Sequence, residues 1–167
     1  AAVTAQLEKV AHTTMLGLAN EPATLLAEKL IELVPPGLTK VFYSDAGATA
    51  TEIAFKLAVQ YWFNVGKPEK NEFVGFAEAY HGDTMGAVSV GGIPLFHQAF
   101  RGMTFPVDYM SAPPYRASAD MLAQYVDTLD HRLSAMKNIY AAVILEPLIQ
   151  GAGGMVIRPS QPLSSSG

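Results

Sequence analysis

The sequence contains no cysteine. That excludes a disulfide framework and any thiolate-ligated metal site. Its four histidines, His12, His81, His97 and His131, show no i,i+3 or i,i+4 pairing, so no helical ligand pair for a metal is expected. His97 and His131 read as surface or satisfied packing residues. Long apolar runs are missing as well. No stretch approaches the ~20 residues that a transmembrane helix needs. The opening AAVTAQLEKVAH has no apolar segment behind a basic one, as a secretory leader would. It also lacks an initiator methionine, which fits either processing or a piece of a longer chain. Positive charge is sparse: 11 Lys and Arg stand against 15 Asp and Glu, for a net charge of −4. Binding nucleic acid takes clustered Lys and Arg to neutralise phosphates. Here they are scattered, and that class of function is set aside.

What is present is a chain of 167 residues that is half hydrophobic, enough for one domain with a sizeable core. Thr4 to Ala11 reads as a short helix end. Pro22 suits the first turn of a second helix, with Asn20 or Glu21 as its cap. Leu26, Leu30, Leu33 and Val34 recur at helical spacing, and Pro35 to Gly37 ends that helix. Lys40 to Ser44 reads as a strand. Ala50, Ile53, Ala54, Leu57, Ala58, Tyr61 and Trp62 form a 3.6-residue stripe, with Glu52 and Lys56 placed as an i,i+4 pair. EFVGFAE is a strand, followed by a Gly-rich loop with a helical turn from Thr84 to Ser89. Phe105 to Tyr115 is extended and interrupted by prolines. Met121, Leu122, Tyr125, Leu129, Leu133 and Met136 mark a further amphipathic helix. AAVILEP is a near-continuous apolar run, as in a strand covered on both faces. Strands alternating with helices predict an α/β layered fold with a mainly parallel sheet.

Three stretches draw attention to the carboxyl ends of the predicted strands, where open α/β sheets bind ligands. SDAGATAT leaves a strand, carries Ala46, Gly47 and Ala48, and opens a helix. A helix N-terminus offers free N–H groups and partial positive charge, a natural phosphate cradle. Gly47, Ala48 and Thr49 would donate N–H bonds, and Thr49 or Thr51 a hydroxyl. The plainer reading is that Asp45 caps the helix and Gly47 makes a tight turn. The stretch is neither a Walker loop nor G-x-G-x-x-G. AYHGDTMG places Tyr80, His81 and Asp83 within four residues. Tyr80 could stack on a flat ring, and Asp83 could orient a polar group. A Tyr-His pair in a loop usually serves surface or packing roles. LEPLIQGAGG ends an apolar strand with Glu146, either a paired buried acid or a site acid.

Together FYSDAGATATEIAFKLAVQYW, FAEAYHGDTMGAVSV and ILEPLIQGAGGM resemble the large domain of class III (fold type I) pyridoxal-phosphate aminotransferases. The likeness runs from about Leu7 to Pro159. It implies part of a three-layer, mainly parallel α/β domain, cut short, and pyridoxal 5′-phosphate as cofactor. By resemblance, Gly47 and Ala48, with Thr49, hold the cofactor phosphate. Many relatives carry Ser where Ala48 stands, so one hydroxyl contact is missing. Tyr80 stacks on the pyridine ring, His81 and Gly82 shape its loop, Asp83 and Tyr80 lie near the amino substrate, and Glu146 lies beside the cofactor. The partners implied are a small-molecule amino donor and a keto acceptor, in a cytoplasmic enzyme that is a homodimer at full length, with neither nucleic acid nor membrane. The expected division is an N-terminal segment or interface loop over 1–21, part of the cofactor-binding large domain over 22–159, and a flexible tail over 160–167. Leu16 to Pro22 suits a dimer interface or a loop packed on its own subunit.

The same resemblance shows what is missing. The chemistry needs a Schiff-base lysine and an aspartate paired with the pyridinium nitrogen. In the family both follow the QGAGG stretch. None of Lys9, Lys29, Lys40, Lys56, Lys67, Lys70 and Lys137 sits in a matching motif, so no catalytic residue is assigned. Three readings stay open: a fragment of an aminotransferase, including one acting on ω-amino acids or amines; a non-catalytic module that binds a cofactor phosphate; and a structural fragment without a ligand.

Overall fold

The computed structural model describes residues 1–112 and 117–157. The expected tail at 160–167 and the prolines at 113 and 114 lie outside the described residues. The chain forms two compact units, Ala1–Tyr43 and Ser44–Gly167.

In the first unit α1 spans Ala2–Lys9 and α2 spans Glu21–Leu33. Asn20 caps α2: its Oδ1 accepts from Ala23 N at 2.9 Å, with Pro22 in the first turn. This cap satisfies one of the N–H groups that a helix start leaves unpaired. The helix ends at Val34, ahead of Pro35. The Tyr43 hydroxyl returns to donate to Ala23 O at 2.5 Å. The strand expected at Lys40–Ser44 is not formed. Its residues favour an extended backbone, but a strand exists only as part of a ladder. Among the described residues this run has no ladder partner.

The second unit opens with α3, Gly47–Asn64, and continues with β1, Glu72–Phe76. Then come α4, Met85–Val90, the short α5, Pro94–His97, and a 3-10 turn, Gln98–Met103. β2, Val107–Met110, α6, Ala119–Ala135, and β3, Tyr140–Val143, follow. β4, Ile149–Gln150, and β5, Val156–Ile157, form a small antiparallel hairpin. The main sheet has the order β2-β1-β3 and both pairings are parallel, as the alternation of elements predicted.

β1 is the central strand and is buried from Phe73 to Phe76. Its successive side chains point to opposite faces. Val74 and Phe76 join Met110 and Tyr140 in one core, closed by Tyr125, Leu129, Leu133 and Met136. These are residues of the predicted α6 stripe and the turn after it. Phe73 joins Phe55 and Val90 in the other core, flanked by Ala58 and Val59 of α3. The result is three layers: α3 and α4, the sheet, then α6.

On α3 the inward face differs from the predicted one. Phe55, Ala58 and Val59 pack on the sheet, while Leu57 is 59% and Tyr61 58% exposed. Apolar residues occur on two neighbouring faces of this helix, so periodicity alone does not choose between them. Nor does Glu52 pair with Lys56. Its Oε1 accepts from Gly86 N at 2.7 Å, at the start of α4.

Candidate functional site

The loops that matter leave the carboxyl ends of β1 and β3 and meet the start of α3. An open cleft of about 690 Å³ is lined there by Gly47, Ala48, Thr51, Tyr80, His81, Gly82, Asp83 and Thr84. The sequence predicts six site residues besides Tyr80 and Asp83. Of these, Gly47, Ala48, His81 and Gly82 line the cleft together with that pair, and Thr49 and Glu146 do not.

The start of α3 is built from its own backbone. Ala46 is the N-cap and Gly47 the first helical residue, so Asp45 does not cap directly and Gly47 makes no tight turn. The Thr49 hydroxyl turns back on the cap. It lies 2.7 Å from Asp45 Oδ1 and accepts from Ala46 N at 3.1 Å. This bond holds the Asp45 carboxyl below its usual range. The first helical hydrogen bond is Ala50 N to Ala46 O, at 3.0 Å. The N–H groups of Gly47, Ala48 and Thr49 precede it and have no acceptor within the helix. Beside Gly47 there is open space where a side chain would stand.

The second loop is pressed onto this start. Gly82 has φ of +123°, and a Cβ there would lie 2.5 Å from Ala48 Cβ. Only glycine permits both the backbone angle and the approach. The Thr51 hydroxyl lies 3.2 Å from His81 O and 3.0 Å from Gly47 O, tying helix and loop. Glu52 anchors the far side through Gly86 N. Within the loop, the Tyr80 hydroxyl donates to Asp83 Oδ2 at 2.6 Å. That bond raises the Tyr80 phenol above its ordinary pKa, with slight burial adding to it.

Glu146 is a paired acid. Oε1 accepts from Tyr80 N at 3.0 Å, and Oε2 accepts from Gly151 N at 2.9 Å. It holds the Tyr80 loop to the Gly151 turn. Gln150, 2% exposed, reinforces the junction by donating to Ala77 O at 2.9 Å. Burial pushes the His81 imidazole below its usual pKa; Glu146 opposes the shift and His97 adds to it. Two buried polar atoms of the cleft residues, His81 Nε2 and Thr84 Oγ1, have no hydrogen-bond partner.

Sequence reasoning missed three residues. Glu52 acts through a contact with a separate segment, Gly86 N, and Thr84 lines the cleft with a buried, unpartnered hydroxyl; their sequence neighbours encode neither. His97, expected at the surface or satisfied, is 4% exposed, and neither ring nitrogen has a partner. Its setting in LFHQAF carries no signal that would have revealed this.

None of the seven lysines is among the residues that line the cleft. Asp83 is the one carboxylate among them. No group of three or more His, Asp and Glu capable of holding a metal occurs among the described residues. No helix among them is long and apolar enough to cross a membrane.

The chain is similar to known proteins. The chain is 47% identical over 165 residues to the adenosylmethionine-8-amino-7-oxononanoate aminotransferase of Geobacter sulfurreducens, covering 95% of this chain and 36% of the relative. The crystal structure of the enzyme of that name from Methanocaldococcus jannaschii superposes with a TM-score of 0.84 at 39% identity, over 95% of this chain and 34% of that one. An amine transaminase from an uncultivated Pseudomonas species, solved in its PLP-bound internal aldimine form, gives a TM-score of 0.78 at 31% identity, over 95% and 38% of the two chains. The chain therefore spans about a third of the length of the relatives it matches. The model of the aminotransferase class-III family matches residues 1–165, and the chain belongs to that family.

Proposed function

We propose that this chain supplies the phosphate- and ring-binding part of a pyridoxal-phosphate aminotransferase. The reaction is transfer of an amino group from S-adenosylmethionine to 7-keto-8-aminopelargonate, in biotin synthesis. The observation that carries the reading is one cleft that joins the unpaired start of α3 to the Tyr80 loop. Family membership and the PLP-bound Pseudomonas neighbour support pyridoxal phosphate as the cofactor, and the residues present fit it. The Gly47, Ala48 and Thr49 N–H groups suit a phosphate at a helix N-terminus. Open space at Gly47 lets it approach. Tyr80 offers a ring face, while His81 Nε2 and Thr84 Oγ1 are polar atoms in need of partners. Thr49 takes part through its N–H, because its hydroxyl is engaged with Asp45 and Ala46. Glu146 takes part by holding Tyr80, and Asp83 by holding the phenol and facing the substrate side.

Bound pyridoxal phosphate supplies an electron sink for chemistry at the carbon that bears the amino group. This chain's own contribution is to bind and orient. None of the lysines of this chain lines the cleft, which supports the reading that the 167-residue chain binds without turning over. The names of the relatives favour the S-adenosylmethionine reaction over amine or ω-amino acid substrates. A cytoplasmic homodimer belongs to the same reading. The exposure of Met15, Leu16 and Leu18 fits a role for residues 1–21 at a subunit interface, with 22–159 as part of the cofactor-binding large domain.

The test is to incubate the purified chain with pyridoxal phosphate, S-adenosylmethionine and 7-keto-8-aminopelargonate. Reversible retention of the cofactor without turnover is expected. Turnover with no other protein present would sink the binding-only role. No retention of the cofactor would favour a structural fragment.

A further inference from the structure

We propose that His97 is a positioning residue for Tyr80, fixing the plane of the ring against which the cofactor would stack. The inference rests on the cofactor reading of the cleft. Tyr80 is restrained at its main-chain nitrogen by Glu146 and at its hydroxyl by Asp83. Both restraints leave the ring plane undetermined. Rotation about χ2 turns the ring about the axis from Cβ to the hydroxyl oxygen, and that torsion has a broad profile. A neighbour on the face or edge of the ring is needed to set it.

His97 is that neighbour. Its ring is parallel to Tyr80 within 8°, with centroids 6.4 Å apart, inside the range of favourable offset stacking. Phe96 closes the group edge-on, 6.2 Å from Tyr80 at 79° and 6.2 Å from His97 at 74°. The imidazole is 4% exposed and both nitrogens lack partners. Burying such a group without hydrogen bonds is unfavourable, so His97 is a poor choice as mere filler. Room is also kept for it: a Cβ on Gly91 would overlap the His97 ring. The imidazole is held by packing alone, and what it presents to Tyr80 is a flat face. His97 does not line the cleft, so it acts through Tyr80.

The experiment compares the parent chain with His97→Ala, His97→Phe and His97→Leu, titrated with two probes. Inorganic phosphate reports the α3 start alone. Pyridoxine 5′-phosphate adds the ring but has no aldehyde, so surface lysines do not trap it. His97→Ala should weaken pyridoxine 5′-phosphate about 3- to 10-fold, the range expected for one lost aromatic contact, and leave phosphate affinity unchanged. His97→Phe, which keeps a flat ring, should restore binding. His97→Leu, which fills the space without a flat face, should not. If His97→Ala fails to fold, the Phe and Leu pair decides. Equal binding by Phe and Leu variants, unchanged binding by the Ala variant, or a parallel loss of both probes would overturn the positioning role. A parent chain that binds neither probe removes the cofactor reading itself, and this inference with it.

Discussion

Two helices of similar length, α3 and α6, cover opposite faces of the same sheet, and they are used differently. Tyr125, Leu129 and Leu133 of α6 complete one core, and its polar bonds, from the Tyr125 hydroxyl to Ser111 O and from Arg132 to Asp108 of β2, tie it to the β2 side. The inward side of α3 mixes apolar residues with hydrogen-bonding ones. Phe55, Ala58 and Val59 pack, while Thr51 reaches His81 O, Glu52 reaches Gly86 N, and the Trp62 indole donates to Ala141 O at 2.8 Å. α6 stabilises the fold. α3 also organises the loops of the cleft, and its N-terminus forms one wall of it.

Substitutions can separate these two uses. The largest effect should come from Gly82→Val at the contact between the Tyr80 loop and α3. A strained backbone angle and a clash with Ala48 together should cost about 3 kcal/mol or more and abolish phosphate binding, read by chemical denaturation and by titration. Next, Leu129→Ala on α6 should cost about 2 kcal/mol, as for truncation of a core leucine. Affinity for pyridoxine 5′-phosphate should be unchanged when measured well below the unfolding transition; a loss would mean that α6 also organises the cleft. Glu52→Ala on α3 should cost about 1.5 kcal/mol, since it strands a half-buried N–H that had a charged acceptor. Unlike the α6 variant, it should also weaken ligand binding. The smallest effect belongs to Leu57→Gln on the outer face of α3, expected within about 0.5 kcal/mol of the parent chain. A cost above about 2 kcal/mol would mean that the stripe read from the sequence is the buried one after all.

Those expectations show what a sequence makes visible. The α6 stripe is legible because one face holds nearly all its large apolar residues. On α3, Leu57 and Tyr61 compete with Phe55 and Val59, and the choice depends on Phe73 of β1, which no local pattern encodes. The cleft was legible through Gly47, Ala48 and Tyr80, since small residues at a helix start and an aromatic after a strand have direct physical consequences. The roles of Glu52 and His97 were not. Each depends on a glycine brought close by the fold, Gly86 for Glu52 and Gly91 for His97. Lys40–Ser44 has strand composition but no partner among the described residues, and composition alone does not supply hydrogen bonds.

The central claim is that the start of α3 and the Tyr80 loop form one binding site. Backbone amide NMR of the ¹⁵N-labelled chain during titration tests it most directly. Inorganic phosphate should shift Gly47, Ala48 and Thr49, and pyridoxine 5′-phosphate should shift these together with Tyr80, His81 and Gly82. Shifts confined to one of the two segments with pyridoxine 5′-phosphate, or centred elsewhere on the chain, would contradict the account.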